Sequence, residues 1–460
     1  MKEKENIVNI LKQLSAQIKE EINNASSKQQ IRPEDEVCRR WKVDKFKYTE
    51  KGVEECTSHS EYITKKSWFR ASIKIVESIK KLDVHASATK LITKALGQKS
   101  KAERYLQSFT GKLISRYLEE PKLGDIEVDI WIENFLKDID GEPLKYGARV
   151  ELDGIIILPK SIDLRIGDTT VLLRQTRVED IEKEFPMYGF AMQPLFIAPS
   201  AVLEIEFLGR ESREIQIKVE QSIAVLRLFK VGSIIYTSYR MHSESITDVM
   251  ASATLGSGGF PRALEKSLMG KEDAQRLKIF WQKMIKYLPT SFYDIGETKL
   301  DYIAIAYKRY CDGLLQNGVF ERRIANAVMG LESLFLKGDE AQELSYRLRL
   351  RIAKVLVIIG YDSYKVKGLV GDAYRVRSLF VHGAHLSYKE KRKLNSKYGD
   401  TKTFLLSLLD YLRISILINI FSKKEKEEFL DLIDDSFIEK EREGRLNNLL
   451  NSAKSFICME

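Results

Sequence analysis

Cysteine is scarce in this chain of 460 residues: Cys38, Cys56, Cys311 and Cys458, with no CxxC pair among them. That spacing gives no disulfide framework, zinc ribbon or redox motif. The closest approach to a metal-ligand set is Cys56-Thr-Ser-His59 with Cys38 upstream. Three soft ligands fall short of the four a tetrahedral structural site needs, so neither metal nor cofactor is expected. Long apolar runs are also missing: no stretch of about 18 apolar residues suggests a membrane span. The start, MKEKENIVNILKQL, lacks the apolar centre and cleavage site of a signal peptide, and a cytoplasmic location is expected. Proline is absent after Pro289, so the last 171 residues are free of the strongest helix breaker.

What is present is ordinary globular material, 44% hydrophobic and 31% charged, which argues against wholesale disorder. The length suggests roughly two to four domains. Net charge is +9, from 75 basic and 66 acidic residues. That permits a polyanionic partner without demanding one. No internal repeat stands out.

The expected fold class is multidomain α+β. Residues 1–145 form an N-terminal, mainly helical region, with helices near 4–24, 61–83 and 100–119 by apolar spacing. Residues 25–60 are polar, mixed and unassigned. Residues 146–250 form a central antiparallel β-sandwich or barrel-like domain. Alternation marks strands at Ser161–Ile166, Val202–Phe207 and Glu214–Glu220, and β-branched or aromatic content adds Gly154–Leu158 and Ser233–Tyr239. One helical insertion is expected near 178–185. Residues 251–296 are a linker and connecting helix. Within them, Ala253–Pro261 is rich in glycine, but no Lys-Ser/Thr follows as a phosphate-binding loop requires, so it reads as a hinge. Residues 297–460 are an all-α bundle with a helical extension, and helices are expected at 297–316, 319–336, 341–359, 363–381 and 402–421.

The third of these helices carries two stripes. Leu344, Leu348, Ile352, Val355 and Ile359 recur at helical spacing and should face the core. Arg347, Arg351 and Lys354 recur beside them and are candidate phosphate contacts, which the resemblance drawn below would make contacts to RNA. From Ser345 to Arg377 there are eight basic residues and two acidic ones, a local net of 8 − 2 = +6.

That run ends in Tyr374-Arg-Val-Arg-Ser-Leu-Phe-Val-His-Gly383. The stretch resembles the signature of the HEPN superfamily, an arginine, four to six residues, then a histidine. The wording, with Tyr374, Arg377-Ser378, Val381, His382 and Gly383, is similar to the Apea-like HEPN branch. Gly330-Leu-Glu-Ser-Leu-Phe335 and Arg349-Leu-Arg-Ile-Ala353 sit where that branch keeps its preceding helices, and Tyr411-Leu-Arg-Ile-Ser415 resembles its closing helix. The likeness covers roughly 297–422.

The resemblance implies a metal-independent endoribonuclease acting as a homodimer through the HEPN domain, with both copies of the motif at one cleft. Arg377 and His382 are then the catalytic pair, with Arg375, Ser378 and His385 as RNA contacts. The chemistry of the pair agrees. A histidine near pKa 6.5 can take a proton from a ribose 2′-OH or return one to the leaving 5′-oxygen. An arginine offers a permanent fork of donors to a scissile phosphate. The products would be a 2′,3′-cyclic phosphate and a 5′-OH. Five residues place Arg377 and His382 about 140° apart on an ideal helix, so both face one phosphate only if the helix ends or distorts between them. Gly383 is a candidate stop. Arg375, seven residues before His382, shares its face, and which arginine is catalytic stays open.

By resemblance, the expected role is prokaryotic antiviral defence by abortive infection, or a toxin, cutting tRNA or other cellular RNA. The N-terminal parts would sense a trigger, either phage protein or nucleic acid. One alternative is a catalytically inactive HEPN module that binds RNA, nucleotide or protein. Another is a scaffold whose β-domain binds a protein or a sugar.

Overall fold

The computed structural model describes residues 2–120, 124–182, 184–186, 198–248, 254–256, 265–293, 301–315 and 318–457. The chain divides into two compact units that interleave in sequence. One takes Met1–Glu151, Arg165–Gln216 and Ser238–Gly256; the other takes Leu152–Leu164, Ile217–Thr237 and Ser257–Glu460.

The first unit begins with helix α1 (Lys2–Ser27), the paired strands β1 (Glu34–Thr49) and β2 (Gly52–Ser67), and helices α2 (Phe69–Ile79), α3 (Asp83–Leu96), α4 (Lys99–Glu119) and α5 (Asp125–Asp140). Ile7, Leu11, Leu14 and Ile18 recur along one face of α1, and they join Ile75, Ile92, Leu106, Phe109 and Phe135 in one buried cluster. The helix expected at 61–83 is corrected: residues 61–67 belong to β2, and helix starts at Phe69. The unassigned segment 25–60 holds most of this antiparallel hairpin. Opposite charges across it, Lys66 with Asp35 at 2.5 Å, Lys47 with Glu54 at 2.9 Å and Lys42 with Glu61 at 3.1 Å, stabilise two strands with little apolar surface. The register sets Cys38 opposite Ile63 and Cys56 opposite Phe46.

Next come β3 (Leu144–Asp153), β4 (Ile155–Ile157), β5 (Ser161–Asp163), β6 (Thr170–Gln175), α6 (Val178–Ile181), β7 (Glu184–Pro186), β8 (Ala201–Gly209), α7 (Ser212–Phe229), β9 (Ile235–Ser243) and β10 (Thr254–Gly256). Strands β10, β9, β3, β8 and β6 lie side by side in that order. Among the described residues these strands form one antiparallel sheet rather than the sandwich or barrel that the strand count suggested. The alternating segment Glu214–Glu220 is helix, part of α7, and this too is a correction. Ile215, Val219, Ile223 and Leu226 are all fully buried, a period of three to four that a seven-residue window is too short to reveal. The glycine-rich hinge reading at Ala253–Pro261 falls largely outside the described residues; only Thr254–Gly256 is seen, as β10.

In the second unit, β11 (Ser267–Met269) pairs in parallel with β4. Helices α8 (Lys271–Tyr287), α9 (Tyr302–Leu315), α10 (Phe320–Phe335), α11 (Leu344–Ile359), α12 (Ser363–Val381), α13 (Tyr388–Tyr398), α14 (Thr401–Ser422), α15 (Lys426–Asp435) and α16 (Lys440–Ile457) follow. Helix α14 is long and apolar enough to cross a bilayer, yet most of it is buried within the bundle. Its Arg413 donates to the carbonyls of Leu228 and Phe229 at 2.8 and 2.9 Å and pairs with Asp410 at 2.7 Å. These bonds satisfy carbonyls that the end of α7 leaves open. Gly330 lets α10 approach its neighbours: a Cβ there would lie 2.7 Å from the Leu412 side chain and 3.3 Å from the Ala306 carbonyl.

Candidate active site

Helix α12 carries the residues that the sequence singles out. Asp362 opens it by accepting from the Lys365 backbone N–H at 2.8 Å. Val366, Leu369, Val370, Ala373 and Val376 are its buried face. Helical geometry persists through Val381, and His382 is the C-cap. Gly383 then adopts φ +77°, with its N–H on the Phe380 carbonyl and the Ala384 N–H on the Leu379 carbonyl. This bond pair is a Schellman stop, and glycine takes the left-handed conformation without a Cβ clash.

Because nothing breaks the helix between them, Arg377 and His382 point in different directions. His382 is exposed, as are His385 and Arg375. Arg377 sits on the flank of the buried face and is only 27% exposed. Its guanidinium pairs with Glu332 of α10 at 3.2 Å, and its Nε is buried without a hydrogen-bond partner. The Tyr374 ring lies 5.7 Å from the guanidinium carbon. Burial raises the Glu332 carboxyl above its ordinary range, while Arg377 opposes that shift. Arg375 shares the side of α12 that carries His382 and makes only a surface pair with Glu390 at 3.3 Å, a contact of little energy. Ser378 is half-buried on the same side.

The basic stripe of α11 is largely consumed by the fold. Arg351 is 2% exposed, and its expected role as an RNA contact is corrected by its partners. It pairs with Glu340 and Asp434, both at 2.6 Å, and donates to the Phe335 carbonyl at 2.7 Å. Lys354 pairs with Glu443 at 2.7 Å and is half-buried against the Phe437 ring. Arg347 is exposed but pairs with Glu340 at 3.1 Å. Their hydrogen bonds, those of Arg351 above all, pull the Glu340 carboxyl down to about 2. Among the described residues, three of the eight cations between Ser345 and Arg377 make no ion pair: Arg349, Lys365 and Lys367.

Sequence reasoning passed over Glu332 and Arg349 as functional residues. Glu332 lies 45 positions from Arg377, and only the fold joins them. The group Cys38, Cys56 and His59 does not converge, and no cluster of three metal-ligating side chains occurs among the described residues. His59 instead lies 2.7 Å from Asp44 on the hairpin. Burial lowers the affinity of His85 for a proton. Compared with family models, with curated proteins and with solved structures, the chain matches none.

Proposed function

We propose that the chain is a metal-independent HEPN-type endoribonuclease, assembled as a homodimer and cutting RNA at the end of α12. The observation that carries this reading is the exposure of His382 at the cap of a helix whose solvent side also bears Arg375. His382 acts as the acid–base group on the ribose 2′-OH and the 5′-oxygen. Arg377 meets the charge that builds on the phosphate, and Glu332 holds it in orientation. Arg375, Ser378 and His385 contact the RNA strand beside it. Arg347 reaches a phosphate only by exchanging Glu340. The first unit, with its hairpin and sheet, senses a trigger of phage or nucleic-acid origin in antiviral defence, and tRNA is a candidate target.

The test is His382→Ala. RNA cleavage is expected to fall roughly 10²- to 10⁴-fold, with thermal unfolding unchanged because the residue is exposed. End analysis of the parent's products should give 2′,3′-cyclic phosphate and 5′-OH, and a DNA version of the substrate should survive. Undiminished cleavage by the variant sinks the assignment. One observation favours a second reading, an inactive RNA-binding module: Arg377 is held by Glu332 rather than free. Salt-sensitive RNA binding without cleavage under any trigger would select it.

A further inference from the structure

Arg349 is the one arginine between Ser345 and Arg377 without an acidic partner among the described residues. Its Nε donates only to the Ser345 carbonyl of its own helix, at 3.2 Å. The side chain is half-buried because it leaves α11 and lies across α12 at Gly371. A Cβ at Gly371 would stand 2.8 Å from Arg349 Cδ and 3.0 Å from Nη1. The absence of that carbon makes room for the guanidinium. Around the axis of α12, Gly371, Arg375, Ser378 and His382 fall within about 60° of one another. Arg349 is thereby brought onto the side of α12 that carries His382, although it belongs to another helix. Tyr364, 86% exposed, lies on the same side near the start of α12.

We infer that Arg349, seated over Gly371, grips a backbone phosphate of the RNA several nucleotides away from the bond that is cut. This rests on the RNA-cleaving reading above. Gly371 is eleven residues from His382, about 16 Å along the helix axis, too far for both to serve one phosphate. A single strand laid along α12 meets His382 at one end, Arg375 between, and Arg349 further on, with the Tyr364 ring available to stack on a base. A phosphate ligand remote from the reacting atoms binds ground and transition states alike. It therefore changes KM and affinity, not kcat. Arg349 is a positioning residue by this argument.

The experiment measures binding of a fluorescein-labelled single-stranded RNA of mixed sequence to full-length protein carrying His382→Ala, which holds the strand uncut. Arg349→Gln added to that background should weaken binding about tenfold, as loss of one charge-assisted contact does. It should also flatten the dependence of log K on log salt by about 0.7. In the cleaving protein the same substitution should raise KM with kcat unchanged. Gly371→Ala provides a second route. It puts a better helix former into α12 and displaces the guanidinium without altering any charge. It should weaken binding in the same direction, and the double variant should be no weaker than Arg349→Gln alone. Equal affinity of all these variants, with the parent still binding and cutting RNA, overturns this inference and leaves the nuclease reading standing. No RNA binding by the His382→Ala protein overturns both.

Discussion

Proteins carrying Arg377→Ala and His382→Ala, each inactive alone, are expected to regain RNA cleavage when they are mixed and allowed to exchange subunits. The reason lies in the continuity of α12. Five residues of unbroken helix turn the two side chains about 140° apart and separate them by about 7.5 Å along the axis. Arg377 is further turned toward α10 by Glu332, at 3.2 Å. The pair of one copy does not close on one phosphate. A site needing both groups is complete where His382 of one copy meets the arginine supplied by a second copy across a two-fold axis. A hybrid dimer then holds one site with both groups intact and one with neither. Random exchange of equal amounts makes half the dimers hybrid, so recovery should approach about a quarter of parental activity. If the pair acted within one copy, no hybrid would contain an intact site and the mixture would stay at the level of the single variants. That result, measured as the initial rate of cleavage of a labelled RNA, would remove the shared-cleft arrangement. Specific activity of the parent should also fall on dilution below its dimer dissociation constant.

The two halves of the chain differ in how much their sequence discloses. The helices of the second unit were legible because apolar residues recur with the helical period and no proline interrupts them after Pro289. The stop at Gly383 was legible too, since only glycine adopts φ +77° without strain. Glu214–Glu220 misled because its alternation fits a strand, while the buried positions Ile223 and Leu226, which declare a helix, lie beyond it. The hairpin of β1 and β2 was hidden by its composition. Its strands are joined by a long backbone ladder and carry charge pairs across it, and a pattern based on apolar residues registers neither. That Arg375 and His382 share a face of α12 follows from their seven-residue spacing, whereas His382 is singled out as a candidate by the resemblance to HEPN proteins. What spacing withholds is long-range pairing. The surplus of positive charge between Ser345 and Arg377 looked like an RNA surface because its acids lie elsewhere. Glu340 falls just before that window, and Asp434 and Glu443 lie 83 and 89 positions from their partners. Arg349 and Arg351, two residues apart, therefore have opposite fates.

Those fates give a prediction of large effect on stability. Arg351→Leu should destabilise the second unit by about 3–5 kcal/mol, because it leaves the nearly buried Glu340 charge without its main partner and opens a gap where the buried guanidinium lay, while the more exposed Asp434 turns to water. Arg349→Gln, on the same helix, should cost little, since no acid depends on it. The effect of Arg351 should also depend on pH in a stated direction. Its hydrogen bonds are the largest cause holding the Glu340 carboxyl at about 2, against an ordinary value of 4.5, with the Lys337 N–H and the Arg347 charge adding to them. A carboxyl depressed in the folded state contributes stability that is full above its unfolded value. That contribution declines as pH falls from about 4.5 toward about 2. A shift of this size corresponds to on the order of 3 kcal/mol. The gap in unfolding free energy between parent and Arg351→Leu should thus be widest near pH 7 and should narrow as acid protonates Glu340 in the variant first. Urea unfolding followed by circular dichroism at pH 7 and pH 3 measures both quantities. A variant that unfolds like the parent at pH 7 but binds RNA less tightly would return Arg351 to the RNA surface and refute its place in the buried cluster.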